Sequence, residues 1–311
     1  MAVYVNTNYS ALQGQRYLGN VQNQLTTTYQ RLSSGMRINS AKDDAAGLQI
    51  ADRLTSQING LNQGNRNASD GIALAQTAEA GMDEISGMLQ KIRTLAVQAN
   101  NGTNTLEDRK ALAKEASSLA TEISRISKQT TFAGKTILNG KQDNAFMTAA
   151  QADKGKTQTL QLQVGSNKGD TISFDLVNLQ FSVAGEAAGV KKDEFKDQAG
   201  TAAFLVKADT VSVNFSTLGA VQNIIGYMDQ MIGYVDSQRA DLGAIQNRLE
   251  SSIRNQSNVA ANEADARSRI RDADFAEESA NLSQQSIIQQ AAASMLMQAN
   301  TRPQLGLSLL G

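Results

Sequence analysis

The chain contains no cysteine and no histidine among its 311 residues. These absences exclude disulfide bonds, thiol catalysis, Ser-His-Asp triads and the usual zinc sites. Tryptophan is also absent, aromatic residues make up 5%, and proline occurs once. Because proline interrupts helices and aromatic rings line most ligand pockets, this composition favours long helices in close mutual contact. We predict no enzyme activity and no cofactor.

The formal net charge is −1, which gives no basic face for binding nucleic acid. The charges are unevenly distributed, because the side chains of the first 42 residues that are charged at pH 7 are all basic, whereas Asp272, Asp274, Glu277 and Glu278 cluster near the C-terminus. Opposite charges favour docking of the two ends, at about 1 kcal/mol or less per exposed pair. Two ordinary solvated faces would give the same pattern.

Hydrophobic runs are short throughout the sequence. No stretch approaches the roughly 18 apolar residues of a membrane span, so no membrane insertion is predicted. The first residues lack the charged and apolar regions of a secretory signal peptide, so export by that route is not expected.

Small and apolar side chains recur at alternating steps of three and four near both ends of the chain. This spacing places them on one stripe of a helix. Because a stripe needs a partner surface, the ends are predicted to pair with each other or with further copies of the chain. The residues predicted to form the inner core of such an assembly are Leu18, Val21, Leu25, Leu32, Leu282, Ile288, Met295 and Leu296.

The thin apolar content of the two ends predicts that they order only on assembly. Fixing a residue's backbone costs roughly 1–2 kcal/mol. Burying a large apolar side chain returns only about 1.5–3 kcal/mol. A terminal helix on its own is therefore expected to stay unfolded until neighbouring copies supply the missing surface.

Residue spacing and capping patterns in the sequence predict the positions of most of the helices. The spacing predicts a first helix over residues 10–32, closed by Ser33-Ser34-Gly35. A capping-box pattern over Ser40–Asp43 is expected to open a second helix of some 55 residues, which ends at Asn100-Asn101-Gly102. Another helix is predicted from beyond Ser216 to about Ser268, followed by a break at residues 269–272. A third helix, before the middle of the chain, is predicted to carry Leu112, Ala116, Leu119, Ile123 and Ile126, and a last amphipathic helix is predicted to include Leu282, Ile288, Ala292, Met295, Leu296 and Ala299.

The pattern of apolar and polar residues changes in the middle of the chain. Residues 160–164 and 172–176 alternate between apolar and polar side chains on either side of the turn-forming residues 165–169. This pattern predicts a β-hairpin. Residues 141–215 as a whole are expected to form a mixed insert, mostly of strands and loops.

Two long motifs carry a family resemblance. The run from Arg31 to Leu48 closely resembles the N-terminal signature of bacterial flagellin, and the run from Ala266 to Ala276 resembles its C-terminal signature. The resemblance covers roughly residues 1–180 and 216–311. It implies a mainly α fold, an elongated antiparallel helical coiled coil or bundle formed by both chain ends, with a central insert that contains the β-hairpin.

The resemblance also implies a division into domains. Residues 1–42 and 271–311 correspond to an inner terminal coiled-coil domain. Residues 43–180 and 216–270 correspond to a helical rod domain with the hairpin. Residues 181–215 are then a short variable outer segment, so this is a form with little or no outer domain.

The function implied by the resemblance is that of a structural subunit of the extracellular flagellar filament. Such subunits are exported unfolded through the central channel and polymerise at the tip. The partners implied are other copies of the chain, an export chaperone at the C-terminal helix, and the filament cap and hook–filament junction proteins.

Residues 90–98 resemble a stretch that a vertebrate toll-like receptor recognises in many flagellins. This chain has Lys91 where arginine is frequent and Thr94 where glutamate is frequent. Lysine does not supply the planar bidentate fork of arginine, which disfavours receptor binding. The positions that fall on the receptor motif are Glu84, Gln90, Arg93, Leu95 and Glu115.

Two other functions stay open at this point. A hook–filament junction protein would share the terminal helices, although the hairpin-bearing middle argues against it. A secreted adhesin or receptor ligand would need its specificity in residues 141–215. The zinc-peptidase insert of some flagellins needs His-Glu-x-x-His, which a chain without histidine does not contain.

Overall fold

The computed structural model describes residues 7–140, 152–153, 157–196, 203–207 and 210–308. Within these residues the chain is mainly helical, and its strands lie in the middle of the sequence. The α-helices are α1 Tyr9–Ser34, α2 Ala45–Ala99, α3 Leu106–Gln129, α4 Phe181–Ala187, α5 Leu218–Arg271 and α6 Phe275–Ser308. The strands are β1 Thr131–Phe132, β2 Lys135–Thr136, β3 Ala152–Asp153, β4 Thr157–Gln163, β5 Thr171–Val177, β6 Phe195–Lys196, β7 Phe204–Lys207 and β8 Thr210–Val213.

Helix α1 confirms the first predicted helix and the signals that bound it. At its start, the side chain of Asn8 accepts a hydrogen bond from the backbone N–H of Ala11, at 3.0 Å. At its end, Gly35 adopts a left-handed conformation with φ of 70° and donates its N–H to the Arg31 carbonyl, at 2.8 Å. Glycine takes this conformation without steric cost, so the helix ends where the sequence predicts.

The predicted start of the second helix is wrong by a few residues. The Asp43 carboxylate accepts from the backbone N–H groups of Ser40, at 2.9 Å, and Asn39, at 3.1 Å, which holds its pKa below the ordinary value. Because these bonds close a turn before the helix, the next carboxylate takes the capping position. Helix α2 begins at Ala45, and Asp44 accepts from the N–H of Gly47, at 2.9 Å.

The predicted hairpin is confirmed, and the break predicted at residues 269–272 is present a few residues later, at residues 272–274. Strands β4 and β5 pair antiparallel over their full length, and β3 lies on the other side of β4. Helix α5 ends at Arg271, and α6 begins at Phe275. The side chain of Asp274 caps α6 by accepting from the backbone N–H of Ala276, at 2.8 Å. None of the described helices has a stretch apolar and uncharged enough to span a membrane.

The chain divides into two compact units, residues 60–258 and the combination of residues 1–59 and 259–311. The first of these has a large hydrophobic core, to which α2, α3, α5 and the central insert all contribute. The segment predicted as a variable outer part supplies buried side chains to that core, including Phe181, Phe204 and Phe215. The domain boundaries drawn from the family resemblance stay a prediction.

Candidate assembly surface

Helices α1 and α6 pack against each other in the unit formed by residues 1–59 and 259–311. Near one end of the pair, the Nδ2 atom of Asn8 donates to the Ala299 carbonyl, at 2.8 Å. Near the other end, Nη1 of Arg31 donates to Oε1 of Glu278, at 3.0 Å. Since residue 8 meets residue 299 and residue 31 meets residue 278, the two helices run antiparallel.

The facing stripes bring small and apolar side chains together. A Cβ added to Gly14 would lie 3.2 Å from Cδ1 of Leu296, so the helices approach closely at this point. The Thr28 hydroxyl is buried and donates to Oε1 of Gln285, at 3.1 Å. Of the eight predicted core residues, Val21 is buried, Met295 is exposed, and the others are partly buried: Leu18, Leu25, Leu32, Leu282, Ile288 and Leu296.

Within the described residues, a single ion pair joins the basic and acidic stretches that the sequence predicts to attract each other. The side chain of Glu278 is only 8% exposed and has Arg31 as its cationic partner. Arg37 does not pair with an acid in this way, since its Nη2 donates to the Ile270 carbonyl, at 2.7 Å. The charge asymmetry therefore contributes one partly buried contact, and the rest of the pairing depends on the apolar stripes.

Backbone hydrogen bonds join the loop after α1 to the break between α5 and α6. We call residues 35–38 and 270–273 together the loop bridge. These hydrogen bonds lie at the end of α5. The last carbonyl group of that helix, on Arg271, accepts from N–H donors of the loop instead of from water. The backbone pairs are Met36 with Asp272 in an isolated antiparallel bridge, Arg37 and Ile38 with Arg271, and Ala273 with Gly35.

Large apolar side chains are also exposed around the outside of the α1–α6 pair. Of the thirteen exposed large hydrophobic residues in the described parts of the chain, eight lie on these two helices. Most lie off the predicted stripes, so a search for the stripes alone misses them. The only signal they leave in the sequence is a bulky apolar residue among polar neighbours. We call these eight the outer apolar set: Tyr9, Leu12, Tyr17, Tyr29, Phe275, Ile287, Met295 and Met297.

A groove of about 610 Å³ runs along one side of the α1–α6 seam. Gly14 and Tyr17 line it from α1, and Ile288, Ala292 and Met295 line it from α6. Its lining is mainly apolar, with Ser10, Gln13 and Gln298 as polar members, and it is open to solvent. The pair therefore offers both a concave surface and protruding apolar side chains.

The residues on the predicted receptor motif lie in the other unit and are not all accessible. Glu84, Gln90 and Glu115 are exposed. Nε of Arg93 donates to Asp229 at 2.5 Å, and Leu95 is 5% exposed within the core. Among the described residues, no group of three or more acidic side chains is arranged to hold a metal ion.

Comparisons with known proteins match both ends of the chain and its full length. The family model for the bacterial flagellin N-terminal helical region matches residues 5–143, and that for the C-terminal helical region matches residues 225–310. Flagellin A of Vibrio cholerae is 38% identical over 378 aligned positions, and polar flagellin C of Vibrio parahaemolyticus is 36% identical over 383. Each alignment covers 100% of both chains.

A solved structure from Vibrio parahaemolyticus, described as a putative flagellar hook-associated protein, is similar with a TM-score of 0.54. The match covers 74% of this chain and 100% of that one, but the identity is 17%, so it supports the fold alone. The hook–filament junction alternative is not favoured, because the full-length relatives are flagellins. The chain belongs to the bacterial flagellin family, the structural subunits of the extracellular flagellar filament.

Proposed function

We propose that the α1–α6 pair is the surface through which this subunit polymerises, with other copies of the chain covering the groove along its seam and the outer apolar set except Met297, which lies about 200° round α6 from the groove-lining Met295. The observation that carries the proposal is the concentration of exposed apolar side chains on these two helices. Soluble proteins rarely expose a large contiguous apolar surface unless it is an interaction site.

The energetics favour assembly over an isolated pair. Two helices in contact leave six of the eight predicted core residues only partly buried and Met295 exposed. Each large apolar side chain that a neighbouring copy covers adds about 1.5–3 kcal/mol. The burial of several such side chains adds to the contacts within the pair and so lowers the net cost of ordering the helices, which favours ordering of the two ends as copies join the filament.

We extend the proposal to the domains and to the partners met before and during assembly. Residues 1–42 and 271–311 form the inner domain, residues 43–180 and 216–270 the rod, and residues 181–215 the short variable segment. The exposed side chains of Phe275, Ile287 and Met297 on α6 give an export chaperone an apolar surface to hold. The filament cap and the junction proteins meet the subunit at the ends of the polymer.

The innate-receptor role is a weaker part of the proposal. Arg93 is held by Asp229, and Lys91 lies 3.8 Å from Glu115, so both cations are already engaged. A receptor would contact Glu84, Gln90 and Glu115 directly. Leu95 would act by holding α2 in place, because it is buried. We propose no enzymatic role, in keeping with the structural role of the family.

Truncation tests the role of the two ends. Removal of residues 1–35 or 276–311 is expected to leave a folded monomer, because the core of residues 60–258 is untouched, but one that does not polymerise. Electron microscopy after salt-induced polymerisation is the measurement, with filaments about 100–200 Å wide expected from the full chain as the width implied by the resemblance to flagellin. Filaments of normal length from either truncated chain would refute the proposal.

A single substitution tests the outer apolar set itself. Ile287 is 68% exposed on α6, so Ile287→Ser removes apolar surface without opening a cavity in the monomer. The critical concentration for polymerisation is expected to rise about ten- to a hundredfold, which corresponds to the loss of about 1.5–3 kcal/mol.

The matched control for Ile287→Ser is Gln290→Ser. Gln290 is exposed on the same helix, so this change removes no apolar side chain, and its cost in helix propensity is at least as large as that of Ile287→Ser. Its critical concentration is expected to stay within about twofold of the parent, a change of under 0.5 kcal/mol. Equal effects of the two substitutions would show that α6 responds to helix stability and not to lost apolar contact.

A further inference from the structure

Two methionines of α6 are far more exposed than the methionines of the hydrophobic core. The exposed fraction is 73% for Met295 and 66% for Met297. In the core, by contrast, Met82, Met228 and Met231 are at most 1% exposed. Oxidation of methionine follows access to the sulfur, so the two thioethers of α6 are expected to react much faster than those three.

The surroundings of the two exposed methionines differ. Met295 lines the groove beside Gly14 and Tyr17 of α1, on the side of α6 next to the seam. Met297 follows two residues later, which is about 200° further round the helix, and it does not line that groove. The chain therefore contains an exposed methionine at the groove and a second one, similarly exposed, on the opposite side of the same helix.

We propose that Met295 is an oxidation site whose conversion to the sulfoxide blocks addition of the subunit to a filament. The oxidant class is hydrogen peroxide and related two-electron oxidants, small molecules that react with an exposed thioether. The thioether sulfur attacks one peroxide oxygen and the O–O bond breaks. The attacked oxygen stays on sulfur, and its proton passes to the other oxygen, which leaves as water. Sulfur loses two electrons and the peroxide gains them.

The effect on assembly follows from polarity. Before assembly, water solvates the sulfoxide oxygen of an exposed Met295. When another copy covers the groove, that oxygen loses its water, and an apolar neighbour supplies no donor in return. This inference rests on the proposed assembly role of the α1–α6 pair. The critical concentration is expected to rise tenfold or more.

The same geometry restricts rapid oxidation of Met295 to subunits that have not yet joined a filament. In a filament, the copy that covers the groove also shields the sulfur from the oxidant. Met295 is therefore expected to oxidise quickly in monomers and at least tenfold more slowly in finished filaments. Oxidation then limits the supply of competent subunits without dismantling filaments already formed.

The first test treats full-length monomers with hydrogen peroxide and follows each methionine by peptide mass spectrometry. The expected result is sulfoxide at Met295 and Met297, intact thioethers at Met82 and Met228, and a critical concentration raised at least tenfold by sedimentation. Treatment with the methionine sulfoxide reductases MsrA and MsrB, one for each epimer, is expected to restore polymerisation. Full oxidation of Met295 with an unchanged critical concentration would overturn the inference.

Two matched variants assign the effect to one sulfur. In Met295→Leu and Met297→Leu, the critical concentration after peroxide is divided by that of the same variant before treatment. Any effect of the substitution on assembly itself then cancels. The ratio is expected to fall close to one for Met295→Leu and to stay at ten or more for Met297→Leu. The reverse pattern, or equal ratios, would refute the assignment to Met295.

Comparing oxidised Met295 with the Ile287→Ser variant separates this inference from the proposed assembly role on which it rests. If Ile287→Ser impairs assembly but oxidised Met295 does not, only the oxidation site is wrong. If Ile287→Ser polymerises like the parent, the role of the α1–α6 surface is itself wrong.

Discussion

Helix α2 approaches the β4–β5 hairpin closely at several of its glycines, and Gly64 is the most constrained of them. A Cβ added at Gly64 would lie 1.9 Å from the carbonyl oxygen of Val164 and 2.7 Å from its carbonyl carbon. Both are backbone atoms, so no change of side-chain rotamer relieves the clash. Beside this contact, Nδ2 of Asn67 donates to the Gln163 carbonyl, at 2.8 Å.

The expected cost of Gly64→Ala combines three effects. Moving the hairpin away by more than 1 Å is overpacking, at about 1–3 kcal/mol. Weakening the bond from Asn67 adds about 1 kcal/mol. Alanine in a helix interior returns about 1 kcal/mol relative to glycine. The net loss is roughly 2 kcal/mol, which lowers the melting temperature by about 4–8 °C for a unit of this size.

Substitution of two further glycines of α2 extends the stability measurement to a series of three variants. Gly87 has nothing within 4 Å of an added Cβ, so Gly87→Ala is expected to stabilise by about 0.5–1 kcal/mol. An added Cβ at Gly71 meets Cδ1 of Leu162, at 2.2 Å, the far end of a flexible side chain. Gly71→Ala is therefore expected to cost less than Gly64→Ala.

Urea unfolding of the monomer, followed by far-ultraviolet circular dichroism, orders the three variants. The expected order of the free energy of unfolding is Gly87→Ala, then Gly71→Ala, then Gly64→Ala, from highest to lowest. If Gly64→Ala were as stable as Gly87→Ala, the close approach of helix and hairpin would not hold in solution.

Two further predictions concern a turn and a helix cap. Ala133 has φ of 48° in the β1–β2 turn, a left-handed conformation that costs a non-glycine residue about 1 kcal/mol; Ala133→Gly is therefore expected to raise the melting temperature, and an unchanged or lower value would argue against that conformation. The pKa of Asp108 lies below its ordinary value of 3.8 because the Thr105 hydroxyl and then the Thr105 N–H donate to its carboxylate. A folded-state pKa that is lowered gives stability above the unfolded pKa, which is lost as pH falls through the folded value. Asp108→Asn is expected to lower the melting temperature at neutral pH and to match the parent well below pH 3.8; a difference independent of pH would contradict the capping role.

The elements that the sequence predicts well are those set by local chemistry. Gly35 ends α1 through its own backbone conformation, and the 165–169 turn fixes the β4–β5 register. The start of α2 is harder, since Asp43 and Asp44 are both able to cap and only the bonds to Asn39 and Ser40 decide between them.

Long-range packing explains what the sequence does not reveal. Strand β6 pairs parallel with β7, and the ring of Phe195 stacks on that of Phe204 with centroids 5.2 Å apart, a contact without a local signal. Burial of Leu95 likewise depends on which helices cover it. For the assembly surface, the stripes predict the pairing of α1 with α6. An apolar residue off a stripe belongs to no periodic pattern, so the sequence does not distinguish one that contacts a partner from one at an ordinary surface position.

The loop bridge has a consequence for the order in which the chain folds. Its contacts join residues that are far apart in sequence; Arg37 and Ile270 are 233 positions apart. Closing so long a loop directly would cost about 5 kcal/mol of chain entropy, more than a few backbone hydrogen bonds return. If α2 first pairs with α5, through contacts such as Arg239 with Asp83, a much shorter length of free chain remains to be closed when the loop bridge forms. The loop bridge is therefore among the last contacts to form, and its N–H donors become protected late in a refolding time course followed by hydrogen exchange.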